Sequence, residues 1–365
     1  MGIRLNPTAK RSGKKVAEVK DAVASVAASS PAVELHLVPT PSTTLNLRCS
    51  GSYKGAFKLG TIVNLIGDSH TGKSLIALGI LAECSLDPYF DKYQLVYNDT
   101  ENANGFDIAN LFGTKLASRL EIISTKCHEY FEVDVQKRLD AGKKIIYVVD
   151  SFDGMTTLAA EELRAKNIKL IDDGKDKKES FGDGKAKLFS QFGGKLQEKL
   201  KANQSLCIIV SQTRQNISPT AMFNPKIRSG GDALKFYSYH ELWLAVVGTE
   251  KHSTHKSEVI RVETRMTVKK NKLIGRKGIA NISILEGYGV DNIKSCIDFL
   301  LALKHWTGSA NKIETKGFYP EKEVSRSKLI SAVEQKNKEV QLAMECQKAY
   351  DKLMADIQPQ RKKRY

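Results

Sequence analysis

Residues 61–84 read TIVNLIGDSHTGKSLIALGILAEC: a short apolar run, a polar turn bounded by glycines, then a longer apolar run. Within the turn, Gly67, Gly72, Lys73 and Ser74 satisfy the spacing G-x-x-x-x-G-K-S/T, with Asp68, Ser69, His70 and Thr71 between them. A strand before the pattern and a helix after it are the context in which it forms a phosphate-binding loop. The glycines let backbone N–H groups turn inward, and the positive end of the following helix favours an anion. Lys73 is placed to reach the β and γ oxygens of a nucleoside triphosphate, and the Ser74 hydroxyl to bind Mg²⁺. His70 reads as a solvent-facing member of the turn.

Nucleotide hydrolysis also needs carboxylates at the ends of neighbouring strands. The run KIIYVVD ends in Asp150, which we assign to the nucleotide site as the organiser of the magnesium ion. A second run, QLVYNDTE, delivers Asp99 and Glu101, and on spacing alone either a general base or a structural acid fits there.

The rest of the chain agrees with an α/β fold. From Thr61 to about Leu285, apolar runs of strand length (QLVYN, LEIIS, KIIYVVD, SLCIIVS, HELWLAVV) alternate with segments of helical composition. Continuous apolar runs imply parallel strands buried on both faces, joined by right-handed crossovers. The sequence divides into an N-terminal basic arm for oligomerisation (1–50), a core (51–289) and a helical C-terminal region with a basic tail (290–365). At 365 residues, with 41% hydrophobic and 27% charged residues, the chain has globular composition. Its net charge of +16 points to a polyanion as partner, nucleic acid ahead of a membrane surface. Six scattered cysteines without a C-x-x-C pair suggest neither a zinc module nor a disulfide framework, and fit a cytoplasmic protein. No run approaches the length of a membrane span.

Several motifs, taken in order, resemble the RecA/RadA family of strand-exchange recombinases, more as a divergent, phage-type member than as a close bacterial one. The D-x-E of NDTE resembles the family's strand end that carries the general base, which implies that role for Glu101. CIIVSQTRQNIS is similar to the strand entering the family's second DNA-binding loop, with the nucleotide-sensing glutamine at Gln212. MFNPKIRSGGDALKFYS resembles the end of that loop in Met222, Phe223, Gly230, Gly231 and ALKFY. VKKNK resembles the K-N-K whose lysines cross to a neighbouring subunit's ATP, which implies that role for Lys270 and Lys272. The resemblance covers about residues 58–285. It implies a RecA-like P-loop NTPase core with a mostly parallel central sheet flanked by helices. It also implies ATP and Mg²⁺ as ligands, single-stranded and homologous double-stranded DNA as partners, and self-association into a helical filament. In place of the family's first DNA loop stands a longer, more charged stretch, residues 164–187, read as a mobile loop with eight Lys/Arg against five Asp/Glu.

The residue chemistry supports the same reading. Residues 264–277 carry six basic residues and no acid, a cluster suited to an anion presented by a neighbouring subunit. In the loop around Met222 and Phe223, apolar side chains can wedge between bases while Arg214, Lys226 and Arg228 meet phosphates; Phe223 as ordinary core packing is the rival. Phe106 stacking on adenine and Phe106 buried in the fold both remain open. The terminal RKKR serves either a duplex or solubility. Two other functions share the phosphate loop: a hexameric RecA-fold helicase, and a recombination mediator that binds ATP without forming filaments.

Overall fold

The computed structural model describes residues 35–102, 105–174, 176, 184–215, 226–228, 231–309, 311–359 and 361. The chain divides into two units, Met1–His36 and Leu37–Tyr365. Of the first unit only Leu35 and His36 are described, and the second carries everything that follows.

The second unit opens with strand β1 (Leu37–Val38), helix α1 (Thr43–Ser50) and strand β2 (Phe57–Lys58), the two strands pairing antiparallel. The Ser42 hydroxyl caps α1 by accepting from the Leu45 N–H, and Gly51 closes it at φ +81°. Ten further strands form one sheet among the described residues: β3 (Thr61–Gly67), β4 (Gln94–Asp99), β5 (Leu120–Ile123), β6 (Ile145–Asp150), β7 (Leu206–Gln215), β8 (Lys226–Arg228), β9 (His240–Lys251), β10 (Val259–Asn271), β11 (Gly278–Leu285) and β12 (Gly289–Val290). Their order is β12-β11-β10-β9-β3-β7-β6-β4-β5, with β8 on the outer end of β7. From β9 to β5 every neighbouring pair is parallel; from β9 to β12 the pairing is antiparallel. This is a mixed α/β fold with a large, mostly parallel central sheet.

Helices cover both faces, as strands that are apolar on both sides require. One face holds α2 (Lys73–Leu86), with α3 (Ile108–Phe112) and α4 (Thr114–Arg119), over a core that includes Leu65, Ile76, Leu81, Leu95 and Val148. The opposite face holds α5 (His128–Asp140) and α7 (Lys185–Ala202), over Ile62, Phe131, Val149, Phe189 and Ile209. Helix α6 (Leu158–Asp172) precedes α7, and the short α8 (Gly231–Tyr237) packs on α7, where Gly193 leaves room for the Tyr237 ring. A third apolar cluster joins α9 (Asn292–Ala302), α10 (Arg326–Gln335) and α11 (Glu339–Asp356) around Trp306, which is 1% exposed.

The stretch 164–187 departs from its reading as a loop. Residues 164–172 belong to α6 and α7 begins at Lys185, so helix enters from both sides. The cause is local. Thr157 caps α6 by accepting from the Ala160 N–H, the next fifteen residues contain neither Gly nor Pro, and α6 has no buried residue that would explain it by packing.

His240 opens β9 wholly buried, beside Phe57 and with Nε2 3.4 Å from the Cys49 carbonyl oxygen. Burial pushes its ring pKa down from 6.5 to about 4. The unfolded chain therefore binds a proton that the folded chain refuses, so this part of the stability is complete above pH 6.5 and is lost as pH falls towards 4. Denaturant titrations across that interval should show His240→Gln losing about 3 kcal/mol less stability on acidification than the parent chain.

Candidate nucleotide site

Parallel register brings the site together. Gly67 at the end of β3 lies opposite Gln212 on β7, and Asp99 at the end of β4 lies opposite Asp150 on β6. The carboxyl ends of four adjacent strands thus face one crevice, the position at which open α/β sheets bind ligands. A Cβ on Gly67 would stand 2.8 Å from both the Leu244 carbonyl oxygen and the Thr71 hydroxyl, so the turn closes only around glycine. Gly72 carries φ +86° as the residue before α2. His70 is exposed at φ +60°, and Ser69 beside it is exposed too.

Lys73 is 8% exposed, and its ammonium donates to the Asp68 carbonyl oxygen at 2.6 Å. Burial lowers its pKa, while Asp150, Asp68, Glu101 and Asp153 in that order pull it back up. One buried cation therefore faces four acids. Asp150 is itself pushed above the ordinary carboxylate range by burial, against hydrogen bonds from Ser74 and Tyr97 that favour its ionised form. The Tyr97 hydroxyl donates to Asp150 Oδ2 at 2.7 Å, and the Ser151 hydroxyl donates to Glu101 Oε1 at 2.6 Å. Each of these acids is thus oriented by a hydroxyl from a neighbouring strand or loop.

Asp68 turns the other way. Its carboxylate accepts from the Thr213 hydroxyl on β7 and pairs with Lys226 on β8, and the Lys226 contact, above all, holds its pKa down. Asp153 reaches the same strand from behind, accepting the Gln212 backbone N–H at 2.6 Å, while its own carbonyl accepts from Lys185 at 3.0 Å. Arg214 is exposed near the end of β7, in register with Ile227. Arg228 closes β8 and Gly231, at φ +67°, starts α8. Met222, Phe223 and Gly230 lie outside the described residues.

Lys270 and Lys272 do not join this crevice. Following the register through Glu241 to Asn64 puts Lys270 two strands over and three residues back from Gly67. Instead Lys270 donates to the Lys235 and Phe236 carbonyl oxygens and Lys272 to that of Phe236, closing the C-terminal end of α8. Between them Phe236 is 71% exposed, with the Lys272 ammonium 5.9 Å from its ring centre. Phe106 is at the margin of exposure and meets Phe112 edge to face. Trp243 sits half-buried on β9 with the Lys269 ammonium 3.5 Å from its ring centre.

The family model of the RecA N-terminal domain matches residues 11–291. The chain belongs to the RecA family. Protein RecA of Colwellia psychrerythraea is 27% identical over 252 residues, covering 69% of this chain and 66% of that protein. Protein RecA of Thioalkalivibrio sulfidiphilus is 27% identical over 284 residues, 76% of this chain and 74% of that protein. Protein RecA of Brucella anthropi is 26% identical over 280 residues, with shares of 76% and 71%.

Within this RecA-family core, sequence reasoning missed Tyr97, Ser151, Asp153, Thr213 and Phe236. For Asp153 a signal existed: DSFDG places a second acid three residues after Asp150, at a strand end already assigned to the site. Tyr97 offers a clean test of the local electrostatics. Because its hydroxyl favours ionised Asp150, Tyr97→Phe should move the Asp150 carboxyl pKa further up, as read by a carbon-13 titration of the aspartate side chains.

Proposed function

We propose that this RecA-family chain is a DNA-dependent ATPase that forms helical filaments on single-stranded DNA. In this role it promotes homologous pairing and strand exchange in recombination and repair, acting in the cytoplasm. The observation that carries this reading is the placement of Gln212. It lies opposite Gly67 of the phosphate loop, on the strand that runs straight out to the segment whose sequence resembles a DNA-binding loop.

The residues present fit ATP and Mg²⁺. The buried Lys73 ammonium supplies a cation for the phosphates, and the Asp150 carboxylate with the Ser74 hydroxyl forms the oxygen donor set that a hard divalent cation prefers. Held by these residues, such a cation would supply charge neutralisation for phosphoryl transfer. In this reading the residues from Gly67 to Ser74 would hold the triphosphate, and Asp150 would orient the cation. Glu101, held by Ser151, takes the proton of the attacking water. Gln212 relays the state of the γ-phosphate to the DNA loop, where Arg214, Met222, Phe223, Lys226, Arg228, Gly230 and Gly231 meet single-stranded DNA. Lys270 and Lys272 serve the adjacent protomer's ATP, in keeping with their distance from their own phosphate loop.

The decisive experiment is ATP hydrolysis with and without single-stranded DNA across a protein titration, with electron microscopy of the same samples. Steep, DNA-stimulated turnover with filaments is expected, and slow, DNA-indifferent turnover without filaments would refute the proposal. Glu101→Ala should keep ATP and DNA binding but lower turnover by about 100- to 10,000-fold. Joint replacement of Lys270 and Lys272 by Ala should remove the steep dependence of turnover on protein concentration while each protomer still binds nucleotide.

A further inference from the structure

Away from the nucleotide crevice, a groove of about 400 Å³ runs between α1, the β10–β11 turn and α11. One wall is cationic, made by Arg48 of α1 with Arg276 and Lys277 of the turn, and among the described residues no carboxylate lines the groove. The other side is apolar, made by Leu353, Met354 and Ile357 beside Tyr350, with Ile357 58% exposed.

The arginine is built in. The Arg48 guanidinium lies between the rings of Phe299 and Tyr350, 5.5 and 5.6 Å from their centres, and its Nε donates to the Ile279 carbonyl oxygen at 3.0 Å. Gly278 makes room for it, since a Cβ there would stand 3.0 Å from Arg48 Cδ. Arg48 makes no ion pair among the described residues, although burial already works against its charge. Charged groups taken out of water are ordinarily paired. Arg276 lies against Met354, so the cationic and apolar sides meet.

The lining selects the occupant. A phosphodiester backbone calls for cations and polar donors and gains nothing from Leu353, Met354 and an exposed Ile357. The chain's own ends have the wrong sign: residues 1–34 carry six Lys/Arg against three Asp/Glu, and residues 358–365 read QPQRKKRY. We propose that this groove docks an acidic peptide segment of another protein that carries an apolar side chain, the acids meeting Arg48, Arg276 and Lys277 and the apolar group settling on Leu353, Met354 and Ile357. The volume suits one large side chain with its flanking backbone. The inference rests on this groove alone and stands apart from the proposed ATPase.

A fluorescein-labelled synthetic peptide of alternating Asp and Gly ending in Phe, titrated with the full chain and read by anisotropy, tests it. Binding is expected, and Arg276→Glu with Lys277→Glu, both exposed on a turn, should weaken it at least about tenfold. The same charge change at Lys251 and Lys256, on the β9–β10 hairpin, should leave affinity within about twofold, because exposed charges farther apart than a Debye length are screened. Replacing the peptide's Phe by Ala, or Leu353 by Asp in the protein, should weaken binding too. Absence of binding, equal loss from the hairpin substitutions, or indifference to the Phe overturns the proposal. So does a result in which Arg276→Glu with Lys277→Glu lowers affinity for a labelled DNA duplex and leaves the peptide unaffected, which would make the groove a nucleic-acid contact.

Discussion

A single ammonium group, Lys73 Nζ, makes the crevice possible. Parallel register delivers Asp150 to the same edge of the sheet as Gly67, and the connections beyond add Asp68, Glu101 and Asp153 around one buried lysine. Acids gathered this closely repel one another, and burial penalises each of them. Lys73 offsets part of that repulsion and is fixed by donating to the Asp68 carbonyl oxygen, so the turn, the helix start and the strand ends are tied at one atom. The charge left over is negative. A divalent cation held by oxygen donors is the ordinary complement of such an excess, and in the proposed function it would also offset part of the charge of a bound triphosphate.

The same crevice is mechanically continuous with β7. Asp68 holds the Thr213 side chain and Lys226, Asp153 holds the backbone of Gln212, and Lys185 at the start of α7 holds the Asp153 carbonyl. The strand end is therefore gripped on one side by the phosphate loop and on the other by the connection after β6. Any displacement of Asp68 is felt at Lys226 through an ion pair that is partly exposed, and so inexpensive to break. A contact of that strength is suited to being exchanged.

Much of this could be read from the sequence, for physical reasons. Strands β3, β6 and the first half of β7 are buried on both faces, so each appears as a mainly apolar run, interrupted in β3 by Asn64, and glycine is obligatory at Gly67 because two atoms would stand 2.8 Å from its Cβ. Asp150 was legible because it ends such a run. Its partner Tyr97 was not: it is fifty-three positions away in the chain and is joined to Asp150 only by strand pairing. A tyrosine inside an apolar run reads as core until its hydroxyl is seen to reach the adjacent strand end. The helical start of residues 164–187 was missed because eight basic and five acidic residues suggested a solvated loop, whereas the absence of Gly and Pro before Gly174 and the Thr157 cap decide for helix. Phe236 lies in ALKFY, whose spacing gives no hint that one aromatic faces outward while Leu234, two residues before it, is fully buried.

Lys270 and Lys272 donate to carbonyl oxygens at the C-terminal end of α8, the helix that closes the stretch resembling the end of the DNA loop. Cations are favoured there by the partial negative charge of the helix terminus, and the contacts are exposed, which keeps each of them weak. A phosphate oxygen is a stronger acceptor than a neutral carbonyl, since charge-assisted hydrogen bonds are about twice as strong as neutral ones. Transfer of these lysines to a neighbour's triphosphate would therefore run downhill in hydrogen-bond strength, and the carbonyls left behind would be met by water at the surface. In the proposed filament the cation that completes one protomer's site would come from the end of the helix that anchors the next protomer's DNA loop, so that nucleotide and DNA would share one short helix as their connection.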